Sequence, residues 1–346
     1  MSDPKIRVLI VDDSAFARKV LREVVSGHPE MEVVGIARDG VDALEQIERL
    51  RPDVVTLDLV MPELDGVGVL HALQSKKNAP AVVVVSMADG QSELGVAALE
   101  AGAFDVVHKP TALALDRLYQ LSGELTSKIK EAASSRRSAP TRDSQGRLQN
   151  AVALPATGRT KLVVVGASTG GPQAVTRLVG ALPADFPVPV IVVLHMPAGY
   201  TEPFARRLDE GSAVDVIEAR SDLELRGGQV VIARAGIHLS LRRDGATWRT
   251  KLELEPSDSL HRPSVDVLFQ SAAEIAGAGT LGIVLTGMGN DGRAGAGAIR
   301  AAGGRVFTET ESSCVVYGMP RSVFEAGFSD ATAPIGEMAA LIAKNL

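Results

Sequence analysis

The strand–helix alternation predicts an α/β protein of two domains, each built on a mostly parallel sheet. Short Val-, Ile- and Leu-rich runs of strand length recur between segments of helical period, as βαβ units require. A composition 45% hydrophobic but only 3% aromatic suits parallel sheets covered by helices on both faces. The 346 residues exceed one ordinary core, and the alternation breaks once near the middle, so two cores are expected.

The first half opens with Lys5-Ile-Arg-Val-Leu-Ile-Val-Asp-Asp13, an apolar strand ending in paired acids. The pattern then predicts helix 16–25, strand 32–37, helix 41–49, strand 54–58 and helix 66–73. Strand 81–86, helix 93–101, strand 105–107 and helix 113–129 complete the set. Five such units make a doubly wound parallel sheet, whose ligand site lies at the carboxyl ends of the strands. Asp12 and Asp13 end the first strand, Asp58 the third and Ser86 the fourth, and Lys109 follows the fifth. Converging carboxylates repel one another unless a cation lies among them, and hard oxygen ligands suit Mg²⁺. Asp58 is then available as a nucleophile toward a phosphoryl group, with the cation, Ser86 and Lys109 neutralising the charge that builds on its oxygens. Any one of these residues also fits a solvated strand end.

With Met61-Pro62-Glu63-Leu64-Asp65-Gly66 and Lys109-Pro110, this constellation resembles the receiver domain of bacterial response regulators over about the first 120 residues. The resemblance implies a flavodoxin-like (βα)5 fold, phosphorylation at Asp58 and Mg²⁺ held by Asp12, Asp13 and Asp58. Many receivers carry an aromatic residue three positions before the lysine, where this chain has Val106, which puts a ring-based switch in doubt. His108 is expected to be a surface residue.

From about Lys128 the apolar period gives way to Ala, Ser, Arg, Thr and Pro, so residues 126–159 read as a flexible linker between domains at 1–125 and 160–346. About 30 such residues span roughly 30 Å. Arg136, Arg137, Arg142 and Arg147 fit solvated linker charge, and contact with an acidic partner is the alternative. A net charge of −6 supplies no basic footprint for nucleic acid. One cysteine, Cys314, excludes an intrachain disulfide and fits a reducing compartment. No apolar run reaches the roughly 20 residues needed to span a bilayer. A cytoplasmic protein, without membrane insertion and monomeric, is expected.

The second half turns on Lys161-Leu-Val-Val-Val-Gly-Ala-Ser-Thr-Gly-Gly-Pro172. A buried strand runs into small residues and a sharp reversal before Pro172 opens a helix. That turn fits two chemistries: an anion cradle at a helix N-terminus or a nucleophile elbow presenting Ser168. Helix 173–182, a strand from 189 running to His195, helix 200–209 and strand 213–218 follow. Residues 228–233 and 237–241 read as short strands paired in a hairpin. Helix 265–276, strand 280–286, helix 295–302, strand 305–308 and helix 335–344 complete a second doubly wound, mostly parallel α/β domain.

Ser168, His195 and Asp291 each follow a different apolar strand, so a parallel sheet can gather them at one edge. A serine hydroxyl needs a base, and the base needs a carboxylate to fix its tautomer. Backbone N–H groups of Gly287-Met288-Gly289, or of the helix start after Ser168, can serve as an oxyanion hole. No Walker lysine follows the glycines, which weakens the phosphate alternative. His195, His238 and His261 lack paired ligand spacing, against a metal in this domain. Cys314 reads as a buried small hydrophobe, and His261 and Arg262 as either groove-facing or packed.

Gly166-Ala-Ser-Thr-Gly-Gly-Pro172, His195-Met-Pro197, His261-Arg-Pro-Ser-Val-Asp-Val-Leu-Phe269, Leu285-Thr-Gly-Met-Gly-Asn-Asp-Gly292 and Ser313-Cys-Val-Val-Tyr-Gly-Met-Pro-Arg321 occur in this order. Together they resemble the chemotaxis response regulator protein-glutamate methylesterases, the CheB family, over nearly the full chain. The resemblance implies a Ser168, His195, Asp291 triad, an oxyanion contact from the Met288 N–H, and a substrate flanked by Thr169 and Met288. It implies hydrolysis of glutamate methyl esters on chemoreceptors, deamidation of receptor glutamines, and no cofactor for that reaction. A chemotaxis histidine kinase of the CheA type is the implied phosphodonor, and the receiver is expected to restrain the catalytic domain until phosphorylated. The family often has an Ala-Pro-Gly-Gly-like turn where this chain reads Ala233-Arg-Ala-Gly236. The other reading is a receiver-controlled module that binds a phosphate-bearing ligand; the same chemistry in a non-flagellar chemosensory pathway is equally compatible.

Overall fold

The computed structural model describes residues 4–76, 78–87, 92–109, 115–138 and 160–346. The chain divides into two compact units, Met1–Ala139 and Pro140–Leu346.

In the first unit the elements are β1 (Ile6–Val11), α1 (Ala15–Ser26), β2 (Met31–Ala37), α2 (Gly40–Leu50), β3 (Val54–Leu57), α3 (Gly66–Gln74), β4 (Ala81–Met87), α4 (Ser92–Glu100), β5 (Asp105–Lys109) and α5 (Leu115–Ser138). Short polar side chains start the helices. Ser14, Asp39 and Asp65 accept bonds from the first-turn N–H groups of α1, α2 and α3, satisfying donors that have no partner within the helix. The sheet runs β2-β1-β3-β4-β5, all parallel. Its strand order reverses between β1 and β3, which is where such sheets open a ligand crevice.

The α5 helix corrects the expected linker, because residues 126–138 are helical. Leu125, Ile129, Ala132 and Ala133 are buried at helical spacing, and the helix packs on β4, β5 and α1. Lys128 pairs with Asp105 and Lys130 with Glu30. The apolar stripe continues through alanines, whose small side chains weaken the sequence signal while still filling a close helix–sheet contact. The rest of the expected linker, 139–159 with Arg142 and Arg147, lies outside the described residues, as do Pro110 and 113–114.

In the second unit β6 (Leu162–Ala167), α6 (Gly171–Gly180), β7 (Val190–Leu194), α7 (Thr201–Gly211), β8 (Asp215–Glu218) and β9 (Gln229–Ile232) come first. Then follow β10 (His238–Asp244), β11 (Thr247–Glu253), α8 (Val265–Ala276), β12 (Thr280–Val284), α9 (Arg293–Ala301), β13 (Arg305–Glu309), α10 (Met319–Glu325), β14 (Ala331–Ala333) and α11 (Ile335–Ala343). The seven-stranded sheet has the order β14-β13-β12-β6-β7-β9-β8, parallel throughout. The core on one face joins Leu162, Val164, Ile191 and Val193 of the sheet to Leu268, Phe269 and Ala272 of α8 and to Leu239 and Leu241 of β10. At the domain's start, the Thr160 hydroxyl donates to the Asn345 carbonyl (2.7 Å), and Arg305 clamps that same carbonyl.

The predicted hairpin is corrected. β9 lies inside the main sheet, parallel to β7 and β8, as its buried Val230-Val231-Ile232 run suits. The antiparallel partner of β10 is β11, joined to it through the two-residue turn Gly245-Ala246. A glycine-led two-residue turn between strands is a hairpin signal, masked here because Arg249 and Lys251 make β11 look like polar loop. At seven and three residues, α10 and β14 are too short for hydrophobic periodicity to reveal.

Candidate active site

In the first unit, the ends of β1 and β3 bring Asp12, Asp13 and Asp58 together, with carboxylate oxygens within 4.8 Å of one another. Asp12 and Asp58 are buried and Asp13 is exposed. The Lys109 ammonium lies 2.7 Å from both Asp12 Oδ2 and Asp58 Oδ2. Burial pushes the Asp12 carboxyl above its ordinary value; Lys109 opposes this and Asp58 reinforces it. An all-oxygen donor set with one solvent-facing member fits a hard divalent cation. The loop after Asp58 explains Gly66, where a Cβ would lie 2.3 Å from the Asp58 carbonyl oxygen. Ser86 is buried at the end of β4, in register with His108. His108 departs from its expected surface position: both ring nitrogens are withdrawn from solvent. Val106 is buried within β5, so that position holds packed aliphatic carbon and no movable ring.

In the second unit the order β12-β6-β7 puts the turn containing Ser168 between the two other candidate positions. Ala167 pairs with Leu194, and the His195 N–H donates to the Ala167 carbonyl (3.1 Å), so Ser168 and His195 leave adjacent strands side by side. On the other flank the Ser168 N–H donates to the Thr286 carbonyl (3.0 Å), continuing the β6–β12 ladder. Gly287 lies against the serine, where a Cβ would meet Ser168 Cβ at 2.8 Å and Met319 Sδ at 2.4 Å. Ser168 is 8% exposed, and among the described residues no hydrogen bond joins its hydroxyl to His195. Such bonds are often long before substrate arrives.

His195 presents Nε2 to Asp291 Oδ2 at 2.9 Å, while its buried Nδ1 has no hydrogen-bond partner among the described residues. Asp291 lies at the start of α8. Its Oδ2 also accepts from the Val265 N–H (2.8 Å), and its Oδ1 accepts from the Ser264 hydroxyl and the Asp266 N–H (2.9 Å each). Burial works to raise this carboxyl. The hydrogen bond and charge of His195 and the two backbone donors outweigh it, leaving the group lowered to about 2. An ionised carboxylate only accepts, so neutral His195 carries its proton on Nε2 and its lone pair on Nδ1. Asp266 in turn accepts from the Gly295 N–H (2.6 Å) at the start of α9. The two helices therefore exchange caps.

The exit of β12 is tied down by groups the sequence reading missed. Thr286 spends its N–H on Glu309 Oε2 (2.8 Å) and its hydroxyl on the Thr169 carbonyl (2.9 Å), and that hydroxyl accepts from the Val316 N–H (3.0 Å). Glu309 is fully buried, and its other oxygen accepts from the Ser313 hydroxyl (2.8 Å). Burial pushes its carboxyl up against those hydrogen bonds. Cys314, beside it, is also pushed up, by burial and then by the charge of Glu309, which leaves an inert thiol. Thr169 is only 1% exposed, whereas Met288 is 47% exposed at the rim. His238 is buried between the Ser264 N–H and the Pro256 carbonyl. The His261 ring stacks on that of His195, with centroids 4.1 Å apart and planes 17° apart. A clue to the Asp291 cradle was available in Ser264, an N-cap residue just before an apolar helix. Glu309 gave none, since a charged residue ending a strand reads as exposed.

Residues 163–342 match the family model described as CheB methylesterase, and residues 8–120 match the response regulator receiver domain. The protein-glutamate methylesterase/protein-glutamine glutaminase 5 of Myxococcus xanthus is 57% identical over 341 residues, covering 99% of this chain and 98% of that protein. The protein-glutamate methylesterase/protein-glutamine glutaminase of Thiobacillus denitrificans is 42% identical over 338 residues, covering 96% and 95%. The crystal structure of the Thermotoga maritima CheB methylesterase catalytic domain superposes with a TM-score of 0.53 at 38% identity, covering 54% of this chain and 99% of that domain. With a receiver domain ahead of it and a match to the catalytic family model that spans half its length, the chain belongs to the CheB methylesterase family.

Proposed function

We propose that this protein is a phosphorylation-activated esterase that removes methyl groups from glutamate side chains of chemoreceptors and deamidates receptor glutamines, with Ser168, His195 and Asp291 as its catalytic residues. The observation that carries the reading is the His195 Nε2–Asp291 bond at the edge of the β12-β6-β7 sheet, next to Ser168. It fixes the tautomer that leaves a lone pair on Nδ1.

Ser168 Oγ attacks the ester carbonyl carbon while its proton passes to His195 Nδ1. The resulting imidazolium is stabilised by Asp291 through Nε2. The Met288 backbone N–H, in the turn whose Gly287 N–H is held by the Val316 carbonyl (3.0 Å), receives the oxyanion, and Met288, with Thr169 beneath the turn, borders the ester. The C–O bond to methanol then breaks, with the His195 proton going to the leaving oxygen. Water repeats the sequence on the acyl-serine and frees the carboxylate. With a glutamine substrate the leaving group is ammonia and the steps are otherwise the same. This chemistry requires no cofactor.

In the receiver, Asp58 accepts a phosphoryl group from a histidine kinase of the CheA type. Asp12, Asp13 and Asp58 would hold Mg²⁺, which would supply positive charge to offset that of the phosphoryl oxygens; Lys109 and Ser86 meet the same oxygens. Coupling of about 1–3 kcal/mol between phosphorylation and catalysis corresponds to roughly 5- to 150-fold activation. The residues up to the end of α5 at 138 serve as receiver and 160–346 as catalytic domain in a cytoplasmic monomer.

Methanol release from methylated receptors, with and without a phosphodonor, tests the whole. It should vanish in Ser168→Ala and lose its response to phosphodonor in Asp58→Asn. Full release by Ser168→Ala overturns the esterase assignment.

A further inference from the structure

We infer that His261 is a positioning residue for the general base, holding the plane of the His195 ring so that Nδ1 points at Ser168. This rests on the esterase reading above and adds a residue to it. A hydrogen bond at one edge of an imidazole leaves the ring able to swing about that bond. Asp291 supplies such an edge contact through Nε2. A flat group against the ring face removes the remaining freedom, and the His261 ring lies there, 4.1 Å away and nearly parallel. The contact also shields that face from water, and the His195 side chain is only 11% exposed.

The segment bearing His261 is built to hold it. The Ser259 hydroxyl donates to the His261 carbonyl (3.0 Å), Arg262 reaches back to the Ser257 carbonyl (2.7 Å), and the Gly236 N–H donates to the Arg262 carbonyl (3.0 Å). Buried His238 fastens both ends, through the Pro256 carbonyl (3.2 Å) and the Ser264 N–H (3.2 Å). The residues that follow directly, Ser264, Val265 and Asp266, donate three bonds to Asp291. One short stretch thus orients the carboxylate by its donors and the imidazole by its face, so the pair is aligned as a unit.

The inference differs from a substrate contact in what it slows. A positioning defect lowers proton transfer for every electrophile that Ser168 attacks, whereas a lost substrate contact raises KM for the receptor alone. The test compares full-length wild type with His261→Ala, His261→Leu and His261→Phe. Two quantities are read: the rate of Ser168 modification by a fluorophosphonate probe, and kcat and KM for methanol release from methylated receptor. A stacked aromatic pair corresponds to a factor of up to about ten. His261→Ala and His261→Leu should lower both the labelling rate and kcat by about tenfold with KM little changed. His261→Phe, which keeps a flat face but cannot titrate, should stay within about twofold of wild type. Should His261→Ala fail to fold, the Leu–Phe contrast carries the test alone. Wild-type labelling rates in His261→Ala or His261→Leu, a change confined to receptor KM, or a Phe variant as slow as the Leu variant would each overturn the inference. Absence of Ser168 labelling in the wild type overturns the esterase reading, and the inference with it.

Discussion

Asp291 lies at the head of α8, where it accepts the Val265 N–H at 2.8 Å through the same oxygen, Oδ2, that faces His195 at 2.9 Å. The carboxylate is shared between a helix terminus and an imidazole, and the donors fix which of its atoms serves which. The neutral His195 side chain should therefore be the Nε2–H tautomer, with ring ¹⁵N shifts showing a protonated Nε2 and a bare Nδ1. Asp291→Asn presents an amide N–H or a weaker acceptor at that place. Loss of about 10³- to 10⁴-fold in kcat is expected from triads of this kind, measured as methanol release.

The lowered Asp291 carboxyl has a consequence for acid stability. In the unfolded chain the group titrates near its ordinary value of 3.8, and in the folded chain at about 2. The unfolded state therefore takes up this proton first as pH falls. The stabilisation, on the order of 2 kcal/mol, is complete above the unfolded value and disappears as pH falls through the folded one. Denaturant melts of wild type and Asp291→Asn between about pH 5 and about pH 2 should show a steeper acid loss in the wild type.

Glu309 should behave in the opposite sense. Burial raises its carboxyl above the ordinary 4.5, so the folded state holds this proton more firmly than the unfolded chain does, and its ionisation costs stability as pH rises. Glu309→Gln keeps an oxygen for the Thr286 N–H and should gain stability relative to wild type as pH rises above the ordinary carboxyl value of 4.5, with methanol release retained. Glu309→Ala strands the buried Thr286 N–H, at about 1–3 kcal/mol, and should lower both melting temperature and kcat.

Gly287→Ala tests the close approach to Ser168, the proposed nucleophile. The added methyl carbon meets Ser168 Cβ at 2.8 Å and Ser168 N at 3.0 Å, so the serine must shift. Misplacement on this scale costs about 10²-fold in rate. The fluorophosphonate labelling rate should fall accordingly.

Lys109→Ala removes the counter-charge that Asp12 and Asp58 share at 2.7 Å. Breaking such a buried arrangement costs about 3–5 kcal/mol. Mg²⁺ can offset the remaining negative charge, so thermal melts should show a larger Mg²⁺-dependent rise in Tm for this variant than for wild type. A melting temperature insensitive to Mg²⁺ in both proteins would count against a cation among Asp12, Asp13 and Asp58.

Strand ends were legible in the sequence because parallel sheets bury continuous apolar runs and stop them abruptly at polar residues. Asp12, Asp58, Ser168 and His195 could therefore be assigned to sheet edges without coordinates. Two kinds of feature escaped. Where small or charged side chains carried the pattern, as in the alanine stripe of α5 and the Arg- and Lys-bearing β11, periodicity understated the element. Where contacts joined segments far apart in sequence, as with Glu309 and Thr286 or His261 and His195, no local pattern encodes the meeting. The strand order β7-β9-β8 was equally hidden, since β9 enters between two strands that precede it in the chain.

The exchange of caps between α8 and α9 makes Asp291 answerable to two demands at once. Asp291 holds the start of α8, and Asp266 of α8 holds the start of α9. A lineage that lost its serine nucleophile would still be selected to keep this aspartate for folding. Its persistence in a sequence would then be poor evidence that catalysis survives, whereas Ser168, which holds no helix end through its side chain, would be free to drift first.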